Sequence, residues 1–164
     1  MTDVPPVIDR ILPLILVANT VIFYVAARLY LFPLISRVRP RQILVPILLL
    51  HSMRNLGMMF LDRGATYPGM PAEFAHPAAF GDLATAIIAF VAIPFVLRGS
   101  GWAKPIVWIF NIWGTVDLVT AVITATIHAA PFAMGATYWI PAFWVPLLLV
   151  THYVTFILLL RRWE

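Results

Sequence analysis

The chain has 164 residues, 62% of them hydrophobic and 11% charged, with a formal net charge of +4 and a mean hydropathy of +0.94. A soluble domain is about half apolar and a quarter charged, so this composition excludes a wetted globular surface and points to the lipid bilayer as partner. The cysteine count of 0 excludes disulfides, thiol redox chemistry, iron–sulfur clusters, thiolate-ligated haem and Cys-based zinc sites.

Five apolar runs reach the ~20 residues that a bilayer crossing needs. They predict spans near 11–35, 42–61, 78–97, 105–127 and 138–160, joined by an outer loop at 62–77. The expected fold is an all-α, polytopic bundle of five transmembrane helices forming a single domain over 1–164. The amino terminus, Met1-Thr2-Asp3-Val4-Pro5-Pro6, has no basic region before the first apolar run, so that run is expected to remain as span one.

Span one contains Asn19 and closes on Arg28, Tyr30 and Pro33, residues suited to a membrane interface. Pro40 separates it from span two, where Pro46 is expected to kink the helix. Span two holds the least expected stretch in the chain, His51-Ser52-Met53-Arg54-Asn55, inside an apolar run. At about 100° per residue, His51, Arg54, Asn55 and Met58 share a helical face. An Arg near the centre of a membrane helix costs from roughly 3 to well over 10 kcal/mol unless it is paired or hydrated. A partner for Arg54 is therefore demanded elsewhere.

The 62–77 loop, DRGATYPGMPAEFAHP, reads equally as an ordered cap over the bundle and as a flexible connector. Span three carries Asp82 and Thr85, then small residues at Ala86 and Ala89 that let helices approach closely. On span four, Trp113, Asp117, Thr120, Thr124 and His128 follow one another at helical spacing and form a stripe. Asn111 lies off that stripe and is expected to hydrogen-bond a neighbouring helix or subunit. Span five contains Trp139, Trp144, Thr151, His152 and Thr155.

Basic residues fix the expected orientation. Arg37, Arg39 and Arg41 lie between spans one and two, Arg98 and Lys104 between three and four, and Arg161 and Arg162 after five. Opposite them, Arg10 and Arg63 each sit beside an Asp. The positive-inside rule then places the amino terminus outside and the carboxyl terminus inside. The positive charge is a topology signal, and no nucleic-acid partner is expected.

With that orientation His51 lies near the midplane, Arg54 and Asp117 slightly outward of it, His152 slightly inward, and Asp82 about 9 Å toward the outer surface on a 1.5 Å rise per residue. Arg54 is predicted to pair with Asp117, Asp82 or both. His51, Arg54, Asp82 and Asp117 are the candidate catalytic residues. Asn19, Asn55, Thr85, Trp113, Thr120 and Trp144 are candidates for lining a pocket.

Single polar residues in membrane helices commonly serve as interhelical glue, and an Arg–Asp pair can be purely architectural. Several ionisable groups at overlapping depth argue instead for a working site. Two carboxylates beside His51 and Arg54 suit proton shuttling, isomerisation or opening of a strained ring in a small lipophilic molecule. His51 and His152 are also candidate axial ligands if the cofactor is haem. A non-haem metal at the outer end would need His76, His128 and a carboxylate, a set without a spacing motif. Transport of protons, ions or small solutes is the second reading, and five spans leave little room for alternating access, so a homo-oligomer would be required. A structural subunit of a membrane complex is the third. No phosphate-binding loop, nucleophile elbow or metalloprotease helix is present.

Four stretches, HSMRNLGMMFLDRG at 51–64, HPAAFGDLATA at 76–86, FNIWGTVDL at 110–118 and YWIPAFWVPLLLVTHYVTFILLLRR at 138–162, resemble a group of small multi-pass bacterial membrane proteins without an assigned function. The resemblance covers most of the chain and implies a bacterial inner-membrane location. It includes His51, Arg54, Asp82, Asp117 and His152 but transfers no role to them.

Overall fold

The computed structural model describes residues 11–161 and 163, and these contain helices and turns without a strand. Arg10 and Arg162, used in the topology reading, lie outside the described residues. Five helices are long and apolar enough to cross a membrane: α1, Ile11–Ile35; α2, Pro40–Leu61; α3, Ala72–Arg98; α4, Ala103–Ile127; and α5, Gly135–Arg161.

The helices are not uniform, and prolines account for part of this. α1 contains a π stretch at Ala27–Leu31 just before Pro33, and α5 has one at Ile140–Trp144 that includes Pro141. A proline removes one i→i−4 donor, and the wider π turn absorbs the gap. Pro40 opens α2 at its first helical positions, where the missing N–H has no partner to lose. α2 is α-helical only to Ser52, and Met53–Leu61 winds as a 3₁₀ helix. That run of 9 residues is well beyond the usual 3–4 for this geometry.

α3 starts earlier than the sequence suggests, with Pro71 as its N-cap. The expected 62–77 loop therefore ends at Pro71, and Glu73, Phe74, His76 and Pro77 belong to the helix. Pro77, the sixth residue of this helix, forgoes a hydrogen bond to the Glu73 carbonyl, and the helix continues through it. What remains of the loop is ordered. Gly64 N–H donates to Asp62 Oδ1 at 2.8 Å, and Tyr67 N–H donates across to Ala133 O at 2.8 Å, joining it to the α4–α5 connection.

α2, α3, α4 and α5 pack in a ring, α3 lying against α2 and α4, and α5 against α4 and α2. α1 lies outside, chiefly on α5, and is the least buried of the five. Two large apolar clusters fill the ring. One, toward the α1–α2 turn, includes Leu44, Leu48, Ala89, Ala92, Val107, Phe110, Val154 and Leu158. The other, toward the 62–71 loop, includes Phe60, Phe74, Ala78, Ala125, Met134 and Ile140. A layer of buried polar side chains separates them.

Gly99 ends α3 at φ 62°, with Ser100 N–H closing the turn on Phe95 O at 3.0 Å. A side chain there strains the left-handed conformation by about 1–2 kcal/mol. Gly99→Val should lower the thermal unfolding midpoint in detergent, whereas Gly101→Ala, which meets open space, should leave it unchanged.

Candidate functional site

The polar layer is organised by Arg54. The 3₁₀ winding of α2 places residues three apart in register, so Arg54, Gly57 and Phe60 all point inward. This corrects the face expected from α-helical spacing: Asn55 is exposed and takes no part in the site, and Met58 is only half-buried. The guanidinium is fully buried, and each of its nitrogens is used. Nε and Nη2 both reach Asp82 Oδ1 on α3 at 2.6 Å. Nη2 also donates to Asp117 Oδ2 on α4 at 2.5 Å, and Nη1 donates to the Gly114 carbonyl at 3.1 Å. The predicted pairing is thus met by both carboxylates at once.

The remaining capacity of the two acids is unequal to that of the Arg. Asp82 Oδ2 and Asp117 Oδ1 accept no hydrogen bond from the described residues. The two side chains keep 14% and 13% exposure against 0% for Arg54. Two carboxylates against one guanidinium also leave one formal negative charge within an apolar bundle.

His152 of α5 completes the layer. Asn111 Nδ2 donates to the His152 carbonyl at 3.3 Å, which leaves Asn111 Oδ1 to accept from His152 Nδ1–H at 2.7 Å. His152 Nε2 then carries a lone pair, and it faces Arg54 Nη1 at 3.4 Å. The same reasoning fixes His51. Thr151 donates its only hydroxyl proton to the Leu147 and Leu148 carbonyls, so it accepts from His51 Nε2–H at 2.9 Å. His51 Nδ1 is left as a buried acceptor with no donor among the described residues.

Three glycines make the layer sterically possible. A Cβ on Gly57 would collide with the Asp82 carboxylate, and one on Gly81 with that of Asp117. At Gly114 it would stand 2.6 Å from His152 Cε1 and 2.8 Å from the Thr85 methyl. Each glycine therefore admits a polar side chain from the next helix in sequence, from α2 through α5. Asn111 bonds a neighbouring helix, one of the two partners its place off the α4 stripe suggested, whereas the roles of Thr151 and of these glycines were not anticipated from the sequence. The glycines were a usable signal, since in a membrane helix they mark close approach.

The other sequence candidates fall elsewhere. Thr85 is buried beside Gly114 and donates its hydroxyl to Gly81 O at 2.9 Å. Asn19 ties α1 to α5 through Ala142 O at 2.7 Å and does not reach Arg54's partners. Trp113 is 52% exposed and Thr120 is exposed, so the expected α4 stripe has the right period but is turned outward, with Asp117 at its inner margin. Trp144 packs on Trp139 at 6.1 Å, and its buried Nε1 has no acceptor among the described residues. His51 and His152 lie ring against ring, centroids 4.3 Å apart and 55° between planes. Two axial ligands of one haem face each other across the iron with the macrocycle between them, and these two rings, packed together, are not so placed. Among the described residues no group of three His, Asp or Glu side chains can hold a metal ion, and His76 and His128 are not assembled into one.

The profile of a family described as "Domain of unknown function (DUF8737)" matches residues 11–160. No curated protein and no solved structure matches the chain.

Removing one partner of a buried ion pair costs about 3–5 kcal/mol, because it strands the other charge. Arg54→Leu should therefore abolish most of the monodisperse yield on size exclusion. Adding Asp82→Asn and Asp117→Asn to Arg54→Leu removes the stranded charges and should restore much of it. Equal yields for the single and triple variants would contradict this assignment of the cost.

Proposed function

This chain belongs to the DUF8737 family, and from that premise we propose that it is a five-span protein of the bacterial inner membrane that binds a small lipophilic molecule at the Arg54 site and exchanges a proton with it. The amino terminus is outside, a reading supported by Arg37, Arg39, Arg41, Arg98, Lys104 and Arg161 all falling at one end of the bundle. The bacterial location is supported by the resemblance of the four sequence stretches.

One observation carries the site's chemistry. Each carboxylate commits one oxygen to Arg54 and leaves the other unbonded on a side chain that is not sealed. Such a pair suits a ligand that brings a basic nitrogen or an N–H or O–H donor to the open oxygens. Arg54 holds the carboxylates apart and in place; Asp82 Oδ2 or Asp117 Oδ1 receives the ligand's proton, the ligand keeps the electron pair, and the same oxygen returns the proton to a second position of the ligand before it leaves. General acid–base work of this kind requires the group within hydrogen-bond reach of the proton it moves.

Room for the apolar part of such a ligand is available nearby. A cavity of about 380 Å³ lies between α1, α4 and the α4–α5 connection, lined by Leu12, Leu16, Val122, Ala125, Phe132 and Tyr138 among others. Val122 is about 7.5 Å along α4 from Asp117 at 1.5 Å per residue. The cavity's own lining includes none of the charged residues.

A second reading, proton translocation by an oligomer, is favoured by the row of buried side chains that runs from His51, whose Nδ1 has no donor among the described residues, through His152 and Arg54 to the two acids. Solvent extracts of wild-type protein purified in detergent should contain a lipophilic donor compound that is depleted roughly tenfold to a hundredfold in Asp82→Asn and Asp117→Asn, the loss expected for a hydrogen bond to a charged group. Indistinguishable extracts would overturn the ligand reading. Dissipation of a pH gradient in liposomes by wild type and not by the two variants would establish the second reading in its place.

A further inference from the structure

At the end of the bundle where α1 turns into α2 and α3 into α4, the charged side chains among the described residues are all of one sign. Arg37, Arg39, Arg41, Arg98, Lys104 and Arg161 lie there, and the sequence has no Asp or Glu between 10 and 61, between 83 and 116, or between 118 and 163. The only ion pairs among the described residues are those of Arg54 at the core. These basic side chains therefore lack a protein counter-charge within the described residues.

They do not merely decorate a surface. A cavity of about 350 Å³ opens between the first turn of α2, the last turn of α3 and the start of α4. This volume falls within the roughly 300–1,000 Å³ range of small-ligand sites. Arg39 and Arg41 stand on its rim, both exposed, while its floor is made by the buried Leu44, Val96 and Ala103. Ser100 lines it too. Its Oγ accepts from Trp102 N–H at 3.3 Å and keeps its own proton to donate. Trp163, half-buried against the apolar cluster, closes one side with an aromatic surface. The starts of α2 and α4 meet at this cavity, and helix N-termini reinforce anion binding.

A cationic rim, a hydroxyl donor and an apolar floor at the end of helices read as membrane-spanning together describe a phosphate ester attached to something greasy. We propose that this cavity binds the phosphate-bearing headgroup of an anionic phospholipid, with the phosphate between Arg39, Arg41 and the Ser100 hydroxyl. Basic pockets between helices on the cytoplasmic side of membrane proteins recognise such headgroups through the same physics. The inference shares with the proposed function only the placement in a membrane. It is independent of the ligand chemistry at Arg54, and neither experiment decides the other.

The test uses the full chain in detergent, titrated with mixed micelles of phosphatidylglycerol or phosphatidylcholine and, separately, with inorganic phosphate, followed by thermal unfolding. Phosphatidylglycerol should stabilise the wild type at concentrations where phosphatidylcholine does not. Its apparent affinity should fall about fivefold for each arginine removed in Arg39→Gln and Arg41→Gln. Arg37→Gln, an exposed cation of the same turn that does not line the cavity, should behave as wild type. Equal responses to the two lipids, or an Arg37→Gln loss as large as that of Arg39→Gln, would overturn the site. Full reproduction of the stabilisation by inorganic phosphate alone would overturn the lipid assignment. Should the substituted proteins fail to fold, lipid phosphorus on wild type washed in phosphate-free detergent decides the matter: retained phosphorus supports the site and none overturns it.

Discussion

A guanidinium held between two carboxylates, in a layer with apolar clusters above and below, is the constraint around which the bundle is arranged. Arg54 is anchored on α2, Asp82 on α3 and Asp117 on α4, with His152 on α5 closing the set. Burying an unpaired ion costs more than most of the packing contacts around it return. The four ring helices therefore have one relative placement in which their polar groups are matched, and few others would be tolerated. Apolar packing alone specifies such a placement weakly, because greasy surfaces of similar shape are interchangeable. The polar layer supplies register, and the site it forms is a by-product of the same demand or the reason for it.

The glycines show how closely that demand is built in. Gly57, Gly81 and Gly114 remove the Cβ where the next helix's Asp82, Asp117 and His152 enter. Two of the three precede an acid on their own helix, Gly81 before Asp82 and Gly114 before Asp117. α3 and α4 thus receive a polar side chain at one position and deliver their own a residue or three further on, while on α2 Arg54 comes before Gly57. Helices approach closely in lipid through such small residues, and here the closeness is used to pass charge and hydrogen bonds inward.

The number of helices, and their extent apart from the start of α3, were legible from run length alone, because about 20 apolar residues admit few other interpretations. The partners of Arg54 were legible too, from the cost of leaving it alone. What could not be read was rotation. A helix apolar on all sides offers no contrast between buried and lipid-facing residues. So the stripe through Trp113, Asp117 and Thr120 had its spacing right while facing mostly outward, and Asn111 and Gly114 took the interior. The 3₁₀ winding after Ser52 left no trace in composition either, and it moved Asn55 out and Gly57 in. At the start of α3 the Pro-rich stretch looked like loop, yet the helix begins at Ala72 and runs through Pro77.

That same winding has a consequence for height. A 3₁₀ helix climbs about 2.0 Å per residue against 1.5 Å for an α-helix, so the 9 residues of Met53–Leu61 extend α2 by about 4.5 Å. With 22 residues, α2 would otherwise fall well short of the 27-residue α3 beside it. The narrower coil lets the shorter helix reach almost as far as its neighbour, and delivers Leu61 to the ordered loop without an added residue.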